Sequence, residues 1–134
     1  MKKIILVLAL MFSLVACDED TTTTIVYPEM SYLSFSAYWI TDVDEQLTQD
    51  EYVYYLYFYG SDCGACQTIK DEALYTIEFL GEDAVYFVQA DQFSEINAAI
   101  TIEGTPSLVK IVNGEVDEIF TGGTSVLAAL HDLD

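Results

Sequence analysis

The chain has 134 residues, 52% of them hydrophobic, with 23 acidic residues against four lysines and no arginine. That length suits one domain with a single core. A formal charge of −19 leaves nothing to neutralise phosphates, which excludes nucleic-acid binding.

Met1-Lys2-Lys3 is a short basic region, and Ile4 to Ala16 is apolar apart from Ser13. Thirteen residues are too few to cross a bilayer as a helix, so residues 1–16 read as a signal sequence. The segment ends in Leu14-Val15-Ala16-Cys17, which resembles the lipobox of bacterial lipoproteins. That resemblance implies a diacylated Cys17 as the first mature residue and an extracytoplasmic protein lipid-anchored to the bacterial cell membrane. An ordinary cleavage site that happens to precede a cysteine is the alternative. Removing residues 1–16 takes two of the four lysines and none of the acids, leaving −21. Anionic headgroups would repel such a domain, so acyl chains rather than a basic patch must hold it at the membrane. The acidic surface itself reads as a means of solubility.

Residues 17–30 form a lipidated N-terminus and a flexible acidic, Thr-rich tether, and residues 31–134 the folded domain. Fully extended, the tether reaches roughly 40 Å. Leu33, Phe35, Ala37 and Trp39 alternate with smaller or polar residues, which predicts a first strand. Thr41-Asp42-Val43-Asp44 caps a short helix through Leu47. The acids around it resemble a calcium loop only superficially, because Leu47 stands where the turn demands glycine.

Tyr52 to Tyr59 is apolar or aromatic on both faces, as a central parallel strand would be. Its five tyrosines each carry a hydroxyl that needs a partner, which predicts a strand not buried along its whole length. Cys66, Ile69, Ala73, Ile77 and Leu80 fall at steps of three and four, so a helix runs from Cys63 to Leu80 and ends at Gly81. Cys63-Gly64-Ala65-Cys66 therefore lies where a buried strand turns into a helix. Unpaired N–H groups there favour a Cys63 thiolate, and Cys66 is close enough to close and release a disulfide. That is a redox motif. A zinc half-site would need more ligands than the remaining His131 supplies. A structural disulfide in so small a loop would restrain the unfolded chain little. Two unrelated buried thiols are the third alternative.

Val85–Ala90 reads as a strand and Phe93–Ile100 as a short helix. Gly104-Thr105-Pro106 leads into strand Ser107–Val112, and Asn113-Gly114 turns it into Val116–Phe120. Gly122-Gly123 breaks the chain before a last helix, Ser125–Leu133, capped by Thr124 or Ser125. His131 on that helix faces solvent.

From about Leu33 onward this order resembles the thioredoxin family: an α/β fold with a central mixed sheet flanked by helices. The match rests on Cys63-Gly64-Ala65-Cys66, Gly104-Thr105-Pro106 and the Asn113-Gly114 hairpin. The resemblance implies a cis Pro106 facing the disulfide and a Thr105 that offers its backbone to substrate, with Gly64 and Ala65 beside it. It implies catalysis by the Cys63–Cys66 pair, Cys63 attacking and Cys66 resolving, with no cofactor and no metal. Its partners would be protein thiols or disulfides and a redox partner outside the membrane, met as a monomer. This chain departs from the family in five places, one of them Ala65 where the family has proline between the cysteines. Asp62 replaces an aromatic residue before the first cysteine, and Gln67 replaces a basic one after the second. Tyr57 and Phe87 stand where the family keeps a buried aspartate and its lysine. Asp62 and the overall acidity disfavour a very acidic thiol, so a reductase is expected. An oxidase or isomerase, or a non-catalytic binding module, are the alternatives.

Overall fold

Strand β1 (Val53–Tyr59) is the centre of the molecule, paired on both edges and covered on both faces. The computed structural model describes residues 23–79, 81, 83–92 and 100–133. The expected signal segment 1–16, Cys17, the beginning of the tether and the expected helix over 93–99 lie outside the described residues.

The chain continues through α1 (Gly64–Phe79), β2 (Ala84–Gln89), β3 (Ser107–Val112), β4 (Glu115–Thr121) and α2 (Gly123–His131). The sheet order is β2-β1-β3-β4, with β2 parallel to β1 and the other pairs antiparallel. Parallel β1 and β2 need a crossover, and α1 supplies it. Alternation along β1 divides the core. Tyr55, Tyr57 and Tyr59 point to the face covered by α1 and α2. Tyr54, Leu56 and Phe58 point to the other face, with Ile40, Ile100, Val109 and Ile111. The β3–β4 turn has Asn113 at φ 51° and Gly114 at φ 75°, the doubly left-handed pair that an Asn-Gly hairpin supplies.

The expected first strand is not formed. Tyr32–Tyr38 is a 3-10 helix, and what remains of a strand is one bridge from Trp39 to Phe87. The reason is a second period in the same residues. Tyr32, Phe35 and Tyr38 lie three apart, one per turn, and the 3-10 segment kinks at Phe35 so that Tyr38 turns to the other face of the sheet. They meet Tyr59, Phe87 and Tyr86 with ring centroids at 3.9, 4.9 and 6.3 Å. Ser31 starts the turn by accepting the Leu33 N–H on its hydroxyl, while Leu33 itself stays exposed. The next short helix is also 3-10, Val43–Leu47, capped by Asp42, whose carboxylate accepts the Asp44 N–H.

β1 is also more buried than its hydroxyls suggested: Tyr54 to Tyr59 are all buried. Tyr54 solves the hydroxyl problem by donating to the Gln46 carbonyl at 2.8 Å. Tyr57 does not; its buried hydroxyl has only the equally buried hydroxyl of Tyr32 beside it, and the two make no hydrogen bond of good geometry. Burial pushes the Tyr32 hydroxyl up to about 12, and Tyr57 is raised further by its deeper burial. Both stay neutral at physiological pH.

The last helix begins earlier than expected. Gly122, not Thr124 or Ser125, is its N-cap, with φ 90° and no side-chain cap. The Gly122 N–H bonds the Pro106 carbonyl at 2.9 Å, and that contact fixes where the helix can start.

An unpartnered buried hydroxyl costs about 1–3 kcal/mol. Tyr57→Phe is therefore expected to leave stability unchanged or raise it by up to about 1 kcal/mol, read from the urea midpoint at constant slope. Tyr57→Asp is expected to lose about 3 kcal/mol or more, because Phe87 gives a buried carboxylate no partner. A loss above about 1 kcal/mol in Tyr57→Phe would mean that the hydroxyl is satisfied after all.

Candidate active site

β1 ends at Tyr59, and Gly60, Ser61 and Asp62 turn the chain into α1. Cys63 sits immediately before the helix and Cys66 one turn inside it. The two form a disulfide with Cα atoms 5.2 Å apart. Their environments differ: Cys66 is wholly buried, Cys63 only partly. The Cys66 N–H donates to Cys63 Sγ at 3.1 Å. That is a first-turn amide of α1, which has no carbonyl of its own to bond, and it favours negative charge on that sulfur.

The second wall is the loop before β3. The Thr105–Pro106 bond is cis, and the Thr105 carbonyl oxygen lies 3.3 Å from Cys63 Sγ. Pro106 is buried and Thr105 partly exposed. Three contacts hold this loop. Ser107 donates to the Gly104 carbonyl at 2.7 Å and meets the Thr121 hydroxyl at 3.2 Å. The Pro106 carbonyl is taken by Gly122. Gly64 and Ala65 are exposed in the first turn of α1, beside the same sulfur. The fold thus brings together Cys63, Cys66, Gly64, Ala65, Thr105 and Pro106. Cys17 lies outside the described residues, and His131 is remote, bonded to Glu72 Oε1 at 2.9 Å between the two helices.

One group of residues near the site left no signal in the sequence. The Ser61 hydroxyl donates to Asp91 at 2.6 Å, and Gln89 Nε2 donates to the same oxygen at 3.2 Å. Together they tie the turn before Cys63 to the end of β2. The Ser61 bond holds the Asp91 carboxyl below the usual carboxylate range. For a lowered carboxylate the linkage is complete above its unfolded pKa and lost as pH falls through the folded one. The clamp is therefore intact at neutral pH.

Tyr57 and Phe87 pair across β1 and β2 with ring centroids 5.6 Å apart, in the same core cluster as Cys66. No buried charge lies under the disulfide among the described residues.

Residues 37–132 match the family model described as Thioredoxin. Among solved structures, a thioredoxin variant from Halobacterium salinarum is 27% identical, with TM-score 0.54, covering 68% of this chain and 79% of that one. A Malassezia sympodialis thioredoxin is 26% identical, with TM-score 0.58, covering 69% and 88%. Mitochondrial thioredoxin 3 of Saccharomyces cerevisiae is 19% identical with TM-score 0.59, covering 71% and 93%, a likeness of fold. No curated protein matches the chain by sequence.

The asymmetry of the cysteines gives a direct test. Cys66→Ser is expected to accumulate mixed disulfides with substrate through the reachable Cys63, and Cys63→Ser to trap nothing. Non-reducing gels of both variants after incubation with an oxidised protein read the outcome. Equal trapping by the two would reverse or abolish the assignment.

Proposed function

This chain belongs to the thioredoxin family and is a thiol–disulfide oxidoreductase, and from that premise we propose that it is a lipid-anchored reductase acting outside the cytoplasmic membrane. The observation that carries the redox chemistry is the Cys63–Cys66 disulfide at the N-terminus of α1, one sulfur reachable and the other buried.

In the reduced protein the Cys63 thiolate attacks a substrate disulfide, forms a mixed disulfide and releases one substrate thiolate. Cys66 then attacks Cys63 Sγ, which closes the Cys63–Cys66 bond and releases the second substrate sulfur. Two electrons pass from the two cysteine sulfurs to the substrate; the Cys66 proton ends on one substrate sulfur, and the other takes from water the proton that Cys63 lost on ionising. Tyr57 is no base for the Cys66 proton, since burial keeps its hydroxyl neutral. The substrate thiolate released in the first step, or water, takes that proton. Thr105 and Pro106 form the wall against which an extended substrate lies, with Gly64 and Ala65 on the other side.

The proposed direction rests on what surrounds Cys63. The Cys66 N–H favours its thiolate, whereas the Thr105 carbonyl oxygen and the neighbouring Asp62 oppose it. Strong oxidants of this chemistry owe their power to a very stable reduced thiolate. Nothing of that kind is added here. The potential of the pair is expected nearer about −270 mV than about −120 mV. Asp62→Asn is expected to lower the pH at which the Cys63 thiolate forms, followed by its ultraviolet absorbance. A potential close to the upper figure would overturn the reductase assignment, and an unchanged titration in Asp62→Asn would remove its main cause.

The anchor is supported by Leu14-Val15-Ala16-Cys17 after a short apolar run. No helix among the described residues is long and apolar enough to cross a membrane. Residues 23–30 carry no regular structure, but they approach α1: Met30 N–H bonds Asp71 at 2.9 Å, and the tilted rings of Tyr27 and Tyr75 lie 5.6 Å apart. The tether between Cys17 and Tyr27 then reaches about 30 Å. Mass spectrometry of membrane-extracted protein is expected to show a mature chain beginning at lipid-bearing Cys17. A free thiol there, in a chain released without detergent, would overturn the anchor.

A further inference from the structure

Between the active-site turn and the segment from Ser31 to Trp39 lies a cleft of about 350 Å³. Tyr32, Trp39 and Tyr59 form its aromatic side, with Tyr32 and Tyr59 stacked at 3.9 Å and an interplanar angle of 9°. Gln67 and Lys70 of α1, Ser61 of the active-site turn and Gln89 of β2 are among its polar lining. The cleft meets the active site at Gly60, the residue before the Ser61–Asp62–Cys63 turn. A Cβ on Gly60 would meet both Cys63 Cβ, at 3.4 Å, and Thr105 Oγ1, at 3.5 Å. The Gln67 N–H bonds the Cys63 carbonyl at 3.1 Å.

Its charge is what sets it apart. The protein has 23 acidic residues, yet no carboxylate lines this cleft among the described residues. One of the two lysines beyond the signal segment does. The other, Lys110, is engaged by Asp117 at 3.2 Å. Lys70 has only its sequence neighbour Asp71, at 3.7 Å, through an oxygen that already accepts the Met30 N–H. Its side chain lines the cleft and is 22% exposed, as a stem packed along the surface with its ammonium left at water would be. Asp91, the nearby acid of the turn, has one oxygen occupied by both Ser61 and Gln89.

We propose that this cleft is a substrate subsite for a carboxylate carried a few atoms from the target disulfide, with Lys70 as its counter-ion and Tyr32, Tyr59 and Trp39 as its apolar side. This deepens the thiol–disulfide reading above and rests on it. The carboxylate could belong to a small disulfide or to an acidic residue beside a protein cystine; the chemistry Lys70 recognises is the same. Lys70 is a specificity-determining residue that touches the substrate, not the sulfur.

Two disulfides of similar reactivity separate recognition from chemistry: dithiobis-nitrobenzoate, with a carboxylate on each ring, and neutral dithiodipyridine. The full chain in detergent is reduced and its rate with each followed, in wild type and in Lys70→Gln. The variant is expected to lose about fivefold in kcat/KM with the carboxylate probe, the scale of one exposed ion pair, and nothing with the neutral one. Added salt is expected to remove the difference in wild type. A pair of cystine peptides with Glu or Gln beside the cysteine identifies the source. A Lys70-dependent preference for the Glu peptide points to protein substrates, and its absence, with the small-probe effect intact, to small disulfides. Equal losses with both probes would overturn the subsite, because Lys70 would then act on Cys63 itself; no loss with either would overturn it too. Failure of wild type to reduce either probe would instead overturn the oxidoreductase reading on which the subsite depends.

Discussion

β1 is hydrogen-bonded along both edges and buried on both faces, and that constraint decides where chemistry can occur. A strand so enclosed cannot offer a side chain to solvent anywhere along its length. Only its end can. The chain leaves at Gly60, and since β2 runs parallel it must cross over as a helix before returning. The helix N-terminus is therefore placed at the carboxyl end of the sheet, with its free N–H groups outward. Cys63 sits at that point, and the first-turn amide of Cys66 already reaches its sulfur. The loop before β3 arrives at the same end because β3 is antiparallel and starts there, with Ser107 opposite Phe58. Strand burial, helix start and the Thr105–Pro106 wall are thus consequences of one pairing pattern.

Beneath the disulfide the core is uncharged. A carboxylate at Tyr57 would face Phe87 across the strands with no counter-charge, and burying an unpaired charge is worse than burying none. The aromatic pair keeps the core intact. It also gives up a base near Cys66, so the buried thiol must hand its proton to something that arrives from outside. The unpartnered hydroxyl of Tyr57 does not change this, since burial holds it neutral. Stability and proton transfer are separated here: the residues that pack the core take no part in titration, and the substrate brings its own acceptor.

The elements with strong local signals form where the sequence places them, and the weakly signalled first strand does not form. β1, α1, β3 and the Asn113-Gly114 turn each announce themselves within a few residues, through an apolar run, a helical period or two left-handed positions. So does the CxxC junction between β1 and α1. Leu33 to Trp39 carries two periods at once: its alternation suggests a strand, and its aromatics at steps of three suggest a 3-10 turn. The choice is made by Tyr59, Phe87 and Tyr86, whose rings are distant in sequence. The start of α2 was displaced for the same kind of reason, because the Pro106 carbonyl captures Gly122. The Ser61–Asp91–Gln89 cluster has no signature at all; Ser61 is 30 positions from Asp91 and meets it only when β2 lies beside β1. Local chemistry was legible, and choices made by long-range contacts were not.

The acidity of the chain fits this division. Among the described residues the buried polar side chains are Gln46, Thr76 and Ser107, none of them charged. The acids lie on the surface, where water and salt screen them within about 10 Å at moderate ionic strength. A surface of this kind can gain or lose acids to suit its medium with little effect on the sulfurs, provided the change is not beside them. Asp62 is beside them, exposed and adjacent to Cys63, where screening is least effective. The one acid that the sequence places before the reactive cysteine is therefore the one with leverage on its ionisation, and the other acids act on solubility and on which partners can approach.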